Sequence, residues 1–520
     1  MQQSSSLPFG RPCLRTYDDA QASSFVDLSG VVEESRISRP NDIVRLIVGE
    51  SGAGKTRMLL EHPFAGPACD SGIVDIAQHP ETHCILDVQA ALRVGGGNAI
   101  EYWQMYWNVA TLRSVATHLL YSRHWQGAVS DVDRPRLLQL VNRFVNTEVP
   151  VSVTASLSHI CRQHVTRNEF KEFYGSEILE FAKVAIQRSM ADQTPFCIVL
   201  DVSDEVLDNA PEAWSKCLQG LMFFVLDKAG DSVFEQINIV ATLPARVYRA
   251  AMEQPRAVNR YSLRAEILQL RWTTKDALHF LNRKISQLPS TYMTRAGAEN
   301  VRDATAWLGV KTVNNRQRSV RERLEAYILR HTRLTPRHVI AIGNSLSIHS
   351  RKAHEKGQKR VSPETIKQVV HESVQDFAQE MFMQCACEIV LQGHAHDYRR
   401  CGPDVYEGTN EDVAGNVRLL EAAFTGLASE TFTSEQLKSE IRKAFSIDDQ
   451  GADQLFRLLW NKRFFGVLLS SGSRRAKRTK FADELFDRNE TLRPKTPLWL
   501  HSLVTDHVPI RVQSGFIPNP

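Results

Sequence analysis

Apolar positions along this chain follow two rhythms. Ile43-Val44-Arg45-Leu46-Ile47-Val48, Thr82-His83-Cys84-Ile85-Leu86-Asp87-Val88, Phe196-Cys197-Ile198-Val199-Leu200-Asp201 and Ile237-Asn238-Ile239-Val240-Ala241-Thr242 are short, mostly apolar runs rich in branched residues, which predicts buried strands. Over roughly 97–190, by contrast, Tyr102, Met105, Val109, Leu112, Val115 and Leu119 recur at three- and four-residue spacing, which predicts helices. A further helix is predicted at about 211–228. Strands alternating with helices predict an α/β layer on a parallel sheet. Beyond Arg271 the strand signals fade, and 273–287, 315–332, 336–350 and 363–389 read as helices. After Gly402 the pattern changes again, to helices at about 413–426 and 433–444, a helix from Ala452, and the apolar run Phe464-Phe465-Gly466-Val467-Leu468-Leu469.

A chain of 520 residues exceeds what one core organises. The patterning divides it into a polar lead-in at 1–40, with 1–24 loosely ordered, an α/β layer with a helical insertion at 41–270, a helical unit at 271–400 and a mixed unit at 401–515. With 42% hydrophobic and 23% charged residues the composition is that of a globular protein, and a net charge of +4 leaves nucleic-acid contact to local patches. Nine scattered cysteines, odd in number and without a C-x-x-C, suit reduced thiols in the cytoplasm or nucleus, not a disulfide framework. Met1 to Asp19 lack an apolar h-region, so no signal peptide is expected. The apolar run around Leu221 to Leu226 is too short for a membrane span, so no membrane partner is expected.

One stretch changes the picture from fold to chemistry. Gly49-Glu50-Ser51-Gly52-Ala53-Gly54-Lys55-Thr56 fits G-x-x-x-x-G-K-[ST], directly after a predicted strand and before the helix formers Arg57-Met58-Leu59-Leu60-Glu61. Its glycines let successive backbone N–H groups converge on a phosphate, and the helix start adds partial positive charge. Lys55 can reach the β/γ-phosphates and the Thr56 hydroxyl can ligate Mg²⁺. A nucleoside triphosphate is therefore the expected ligand.

Asp201-Val202-Ser203-Asp204-Glu205 closes a predicted strand, where one acid can hold Mg²⁺ and another can orient an attacking water. Asp201 fits the first role; Glu205 or Asp204 fits the second. Thr242 closes the fourth run, either to touch the γ-phosphate or the water, or to satisfy loop backbone. Thr335-Pro336-Arg337 reads as an N-cap, a first-position proline and a first-turn arginine, placing Arg337 either at the phosphates or in solvent.

Two other clusters carry candidate chemistry. Cys385, Cys387, His394, His396 and Cys401 have C-x-C and H-x-H spacings, which are not those of a zinc finger, and on one helix residues 385 and 387 point apart. Ser471 to Lys480 carries Arg474, Arg475, Lys477, Arg478 and Lys480 in a Gly/Ser-containing loop, where they can track DNA phosphates or serve as a solvated surface.

With these motifs in view, the chain resembles the AAA-like P-loop ATPases of the STAND class. Asp201 to Glu205 is similar to that group's D-G-L-D-E Walker B, with Val202 and Ser203 replacing glycine and leucine. Leu268-Gln269-Leu270-Arg271-Trp272-Thr273 is similar to its step into the helical lid, and Thr335-Pro336-Arg337 to its x-P-R-D motif, with His338 replacing the acid. Leu455 to Trp460, Phe465-Gly466-Val467 and Trp499-Leu500-His501 resemble its winged helix. Origin-recognition initiator ATPases share the same order. The resemblance implies an α/β fold with a P-loop core at 41–270, a helical lid at 271–400 and a winged helix at 401–515. It further implies ATP and Mg²⁺ as cofactors, with Thr56 and Asp201 on the metal, and an ATP-dependent switch in defence or signalling that can act as a homo-oligomer. Two alternatives stay open: an ATP-gated DNA-binding initiator, and a structural nucleotide module without turnover.

Overall fold

The computed structural model describes residues 7–9, 44–60, 72–76, 80–94, 98–163, 166–191, 193–202, 210–228, 232–252, 260, 266–294, 303–315, 320–397, 409–470, 477–480 and 497–508. Five strands, β1 (Leu46–Gly49), β2 (Ile73–Ile76), β3 (Phe196–Asp201), β4 (Ile237–Pro244) and β5 (Ile267–Leu270), form one sheet in the order β2-β3-β4-β1-β5. Every pairing in it is parallel, so all five strands end on the same edge. Ile47 lies in register with Thr242, and Ile76 with Asp201.

Successive side chains of a strand leave opposite faces. Leu46, Val48, Ile198, Leu200, Ile239 and Ala241 enter one core, whereas Ile47, Cys197, Val199, Val240 and Leu268 enter the other. Helices α1 (Lys55–Leu60), α2 (Thr82–Val94), α3 (Ala99–Tyr121), α4 (Arg134–Asn142), α5 (Val153–Gln163), α6 (Arg167–Tyr174), α7 (Glu177–Met190) and α8 (Pro211–Asp227) follow in the first half. α3 is buried around its circumference, as an axial helix of a cluster must be. It packs so closely on α8 that a Cβ at Gly220 would stand 2.4 Å from the Cβ of Trp103.

The run Thr82–Val88, expected as a strand, is the start of α2. Its buried positions, Cys84, Ile85, Val88 and Leu92, have helical spacing, and this side of the sheet is completed by β2 instead. The expected strand ending at Asp201 is present as β3, and the one expected to end at Thr242 is β4, which runs two residues further to Pro244.

The second half opens with α9 (Ala245–Met252), α10 (Thr274–Ser286) and α11 (Ala304–Leu308). β6 (Thr312–Asn315) and β7 (Val320–Arg323) form an antiparallel hairpin, so the single helix expected over 315–332 is a strand followed by α12 (Leu324–Arg330). α13 (Pro336–Glu355) and the long α14 (Pro363–Asp397) match their expected positions. Then come α15 (Thr409–Thr425), β8 (Thr431–Phe432), α16 (Ser434–Phe445), α17 (Asp449–Asn461), β9 (Phe465–Ser470), β10 (Lys477–Lys480), β11 (Leu498–Leu500) and α18 (Ser502–His507). These last strands form an antiparallel sheet in the order β10-β9-β11-β8.

One part of the lead-in is not loose. Phe9 is fully buried on α13: its N–H donates to Asn344 Oδ1 at 2.8 Å, and its ring occupies the space a Cβ at Gly343 would need. Among the described residues no helix is long and apolar enough to cross a membrane.

Candidate functional site

The turn from β1 into α1 lies at the carboxyl edge of the sheet. Gly52 and Gly54 adopt φ values of +74° and +96°, a region that favours glycine. Lys55 folds back over this loop and its Nζ donates to the carbonyls of Gly49 and Glu50, each at 3.2 Å. Thr56 Oγ1 donates to Asp201 Oδ2 at 2.6 Å, and Thr242 Oγ1 donates to Asp201 Oδ1 at 2.7 Å. β4 runs between β1 and β3, so sheet register sets Thr242 beside Asp201 at the end of β3, and the first turn of α1 adds Thr56. The Thr242 oxygen also accepts the Val202 N–H at 3.2 Å. Thr242 thus meets the backbone just beyond β3 and orients Asp201 as well. A hydroxyl and a carboxylate side by side are a hard-oxygen donor pair that fits Mg²⁺.

Groups from the second half cover this loop. Trp272, expected only as a step into the next helix, donates Nε1–H to Ala53 O at 2.9 Å and so fixes the loop backbone. The adjoining helix α10 starts with a reciprocal cap between Thr273 and Asp276, which holds Trp272 in place. Arg337, in the first turn of α13, donates its N–H to Gly52 O and its Nη1 to Ser51 Oγ, both at 3.3 Å. A Cβ at Gly52 would stand 2.7 Å from the Arg337 Cβ. Arg337 therefore sits on the loop, not in solvent. Glu380 of α14 stands 3.6 Å from its guanidinium. Burial opposes ionisation of Glu380, but His338 and Arg337 hold its carboxyl at about 2.

The loop's mouth carries a second, charged set. Glu50 pairs with Arg249 of α9 at 2.9 Å. Burial raises the cost of its charge, yet Lys462, Arg249 and Arg333 outweigh that and hold its carboxyl well below the usual range. Lys462, at the end of α17, is buried and meets Glu388 of α14 at 2.6 Å. Arg463, with φ of +63°, donates to the carbonyls of Arg333 and Trp272, both at 3.1 Å. A pocket at this mouth is walled in part by Glu50, Ser51, Arg246, Gln384 and Lys462. Sequence reading missed Arg249, Arg333, Glu388, Lys462 and Arg463, because each is a single charge far along the chain from the loop it faces.

Asp204 and Glu205 lie outside the described residues, as do Arg474 and Arg475. Lys477, Arg478 and Lys480 lie on β10, paired with Ser470, Leu469 and Val467 of β9. Cys385 and Cys387 are fully buried thiols on α14; Cys401 and the side chains of His394 and His396 lie outside the described residues. Comparison of the chain with models of protein families, with curated proteins and with solved structures returned no match.

Proposed function

We propose that this chain binds a nucleoside triphosphate with Mg²⁺ at the Gly49–Thr56 loop and works as a P-loop ATPase switch. The observation that carries this reading is the pairing of Thr56 Oγ1 with Asp201 Oδ2 at 2.6 Å beside a loop with two glycines at positive φ. The loop would supply backbone N–H groups to the phosphates, and Lys55 would exchange the Gly49 and Glu50 carbonyls for phosphate oxygens. Thr56 and Asp201 would hold Mg²⁺, which when bound neutralises charge developing on the phosphates. Thr242 keeps Asp201 aimed, and Glu205 or Asp204 orients the attacking water. Arg337 is the group of the lid, residues 271–400, that reads the phosphates. The C-terminal sheet and helices, read as a winged helix, follow the nucleotide state through Lys462 and Arg463.

The experiment is steady-state phosphate release together with Mg²⁺-dependent binding of an ATP analogue. Asp201→Asn weakens Mg²⁺-dependent binding, whereas Glu205→Gln keeps binding and slows turnover. A dead Asp204→Asn beside an unaffected Glu205→Gln would move the water-orienting role to Asp204. Parent protein that binds but never turns over would favour the structural-nucleotide reading. A rival reading, ATP-gated DNA attachment, draws on the basic β9–β10 hairpin. Under it, alanine at Arg474, Arg475, Lys477, Arg478 and Lys480 flattens log K against log salt by about 0.9 for each DNA phosphate that is no longer neutralised.

A further inference from the structure

We propose that Glu81, His83 and Cys84 form a zinc site where the chain enters α2. Three different donors converge there: Glu81 Oε2 and His83 Nε2 are 3.2 Å apart, Cys84 Sγ and His83 Nε2 3.3 Å, and Cys84 Sγ and Glu81 Oε2 3.6 Å. A tetrahedral zinc ion bonded to O and N at about 2.0–2.2 Å and to S at about 2.3 Å has ligand-to-ligand edges of about 3.3–3.6 Å. The three donors thus already span one face of such a tetrahedron. The fourth corner is left for a water or a ligand atom, the arrangement of zinc sites that do chemistry or exchange ligands.

The site is also supported from outside. The carboxylate is divided: Oε2 faces the imidazole and the thiol, while Oε1 accepts from Arg162 of α5. The Glu81 N–H donates to Ser158 Oγ of the same helix at 3.0 Å. α5 therefore orients the metal-facing oxygen, as outer-shell partners do. Cys84 is 1% exposed and forms the floor, whereas the side chains of His83 and Glu81, at 69% and 42% exposure, leave a way in for the ion. One sulfur, one imidazole nitrogen and one carboxylate oxygen select a borderline-soft ion such as Zn²⁺; Mg²⁺ and Ca²⁺ take oxygen sets. The site is separate from Thr56 and Asp201. It follows β2, whose neighbour β3 ends at Asp201, so both sites belong to the carboxyl edge of the sheet. A bound zinc would pin the start of α2, with α5 supporting it through the contacts of Arg162 and Ser158 to Glu81.

The test uses the full chain, stripped with a chelator and free of nucleotide, titrated with Co²⁺ and then with Zn²⁺. The parent should show a thiolate-to-cobalt charge-transfer band that one equivalent of Zn²⁺ removes. His83→Ala is the decisive variant, because His83 is exposed and its loss leaves the core untouched. It should weaken Zn²⁺ affinity at least about tenfold, and Arg162→Ala by about ten- to a hundredfold through the lost support. Cys84→Ser should abolish the charge-transfer band, with circular dichroism confirming the fold. A parent without that band, or zinc uptake identical in parent and His83→Ala, would overturn the assignment and leave a hydrogen-bonded helix start.

Discussion

On one side of the glycine loop, Asp201 is held by the hydroxyls of Thr56, in the first turn of α1, and of Thr242, inside the neighbouring strand β4. On the other, Glu50 faces Arg249, Arg333 and Lys462, which come from three separate parts of the chain. The first arrangement follows from sheet register and neutral donors. The second gathers opposite charges, of which Lys462 and Glu388 are withdrawn from water and so depend on each other, while Glu50 and Arg249 stay about one-third exposed. The loop thus has a rigid base and a cover whose integrity is electrostatic.

The largest effect expected is from the cover. Lys462→Ala leaves Glu388 and Glu50 short of a buried cation, and breaking a buried pair costs about 3–5 kcal/mol. Denaturant unfolding measures it, and a loss below about 1 kcal/mol, the value of a surface pair, would erase the contrast. On the base, Thr242→Val removes one hydrogen bond to a carboxylate and one accepted from Val202 N–H, for a smaller loss of about 1.5–3 kcal/mol in the same assay.

Acid should loosen the cover. His331 and His501 are buried in it, and burial first, with Arg330 beside His331 and Arg463 beside His501, depresses both; His501 falls to about 3. A folded pKa below the unfolded value of 6.5 means that the stability is complete above pH 6.5 and is lost as pH falls towards the folded value. Each histidine then removes up to about 1.4 kcal/mol per pH unit. Unfolding midpoints from pH 7 to pH 4 check this, and a flat profile would contradict it. The smallest effect is Trp272→Phe, which keeps an aromatic six-membered ring but drops the bond to Ala53 O, for about 1 kcal/mol plus the cost of the space the smaller ring leaves, and a more mobile loop by hydrogen exchange.

The base is legible in sequence and the cover is not. Lys55, Thr56 and the glycines form one local motif, and β3 and β4 are apolar runs whose ends name Asp201 and Thr242. β2 gives little sequence signal because its apolar run is short and broken by Asp75, which is buried and accepts from Thr154 N–H and Oγ1. Thr82–Val88 resembles a strand because Cys84, Ile85 and Leu86 are consecutive, although the buried set continues at Val88 and Leu92. The hairpin β6–β7 carries Arg321, Glu322 and Arg323, so it offers no apolar run to read. The charges around Glu50 have no local pattern at all; only the fold assembles them.

The central claim is that the Gly49–Thr56 loop binds a nucleoside triphosphate, and its most direct test is titration of parent and Lys55→Ala with a fluorescent ATP analogue, with and without Mg²⁺. Lys55 folds over the loop, where it donates to two carbonyls, so its truncation removes the loop's cation and leaves the sheet standing. The account predicts Mg²⁺-dependent binding by the parent and loss of most affinity in the variant, with an unchanged circular dichroism spectrum. A folded Lys55→Ala that binds as tightly as the parent would contradict it.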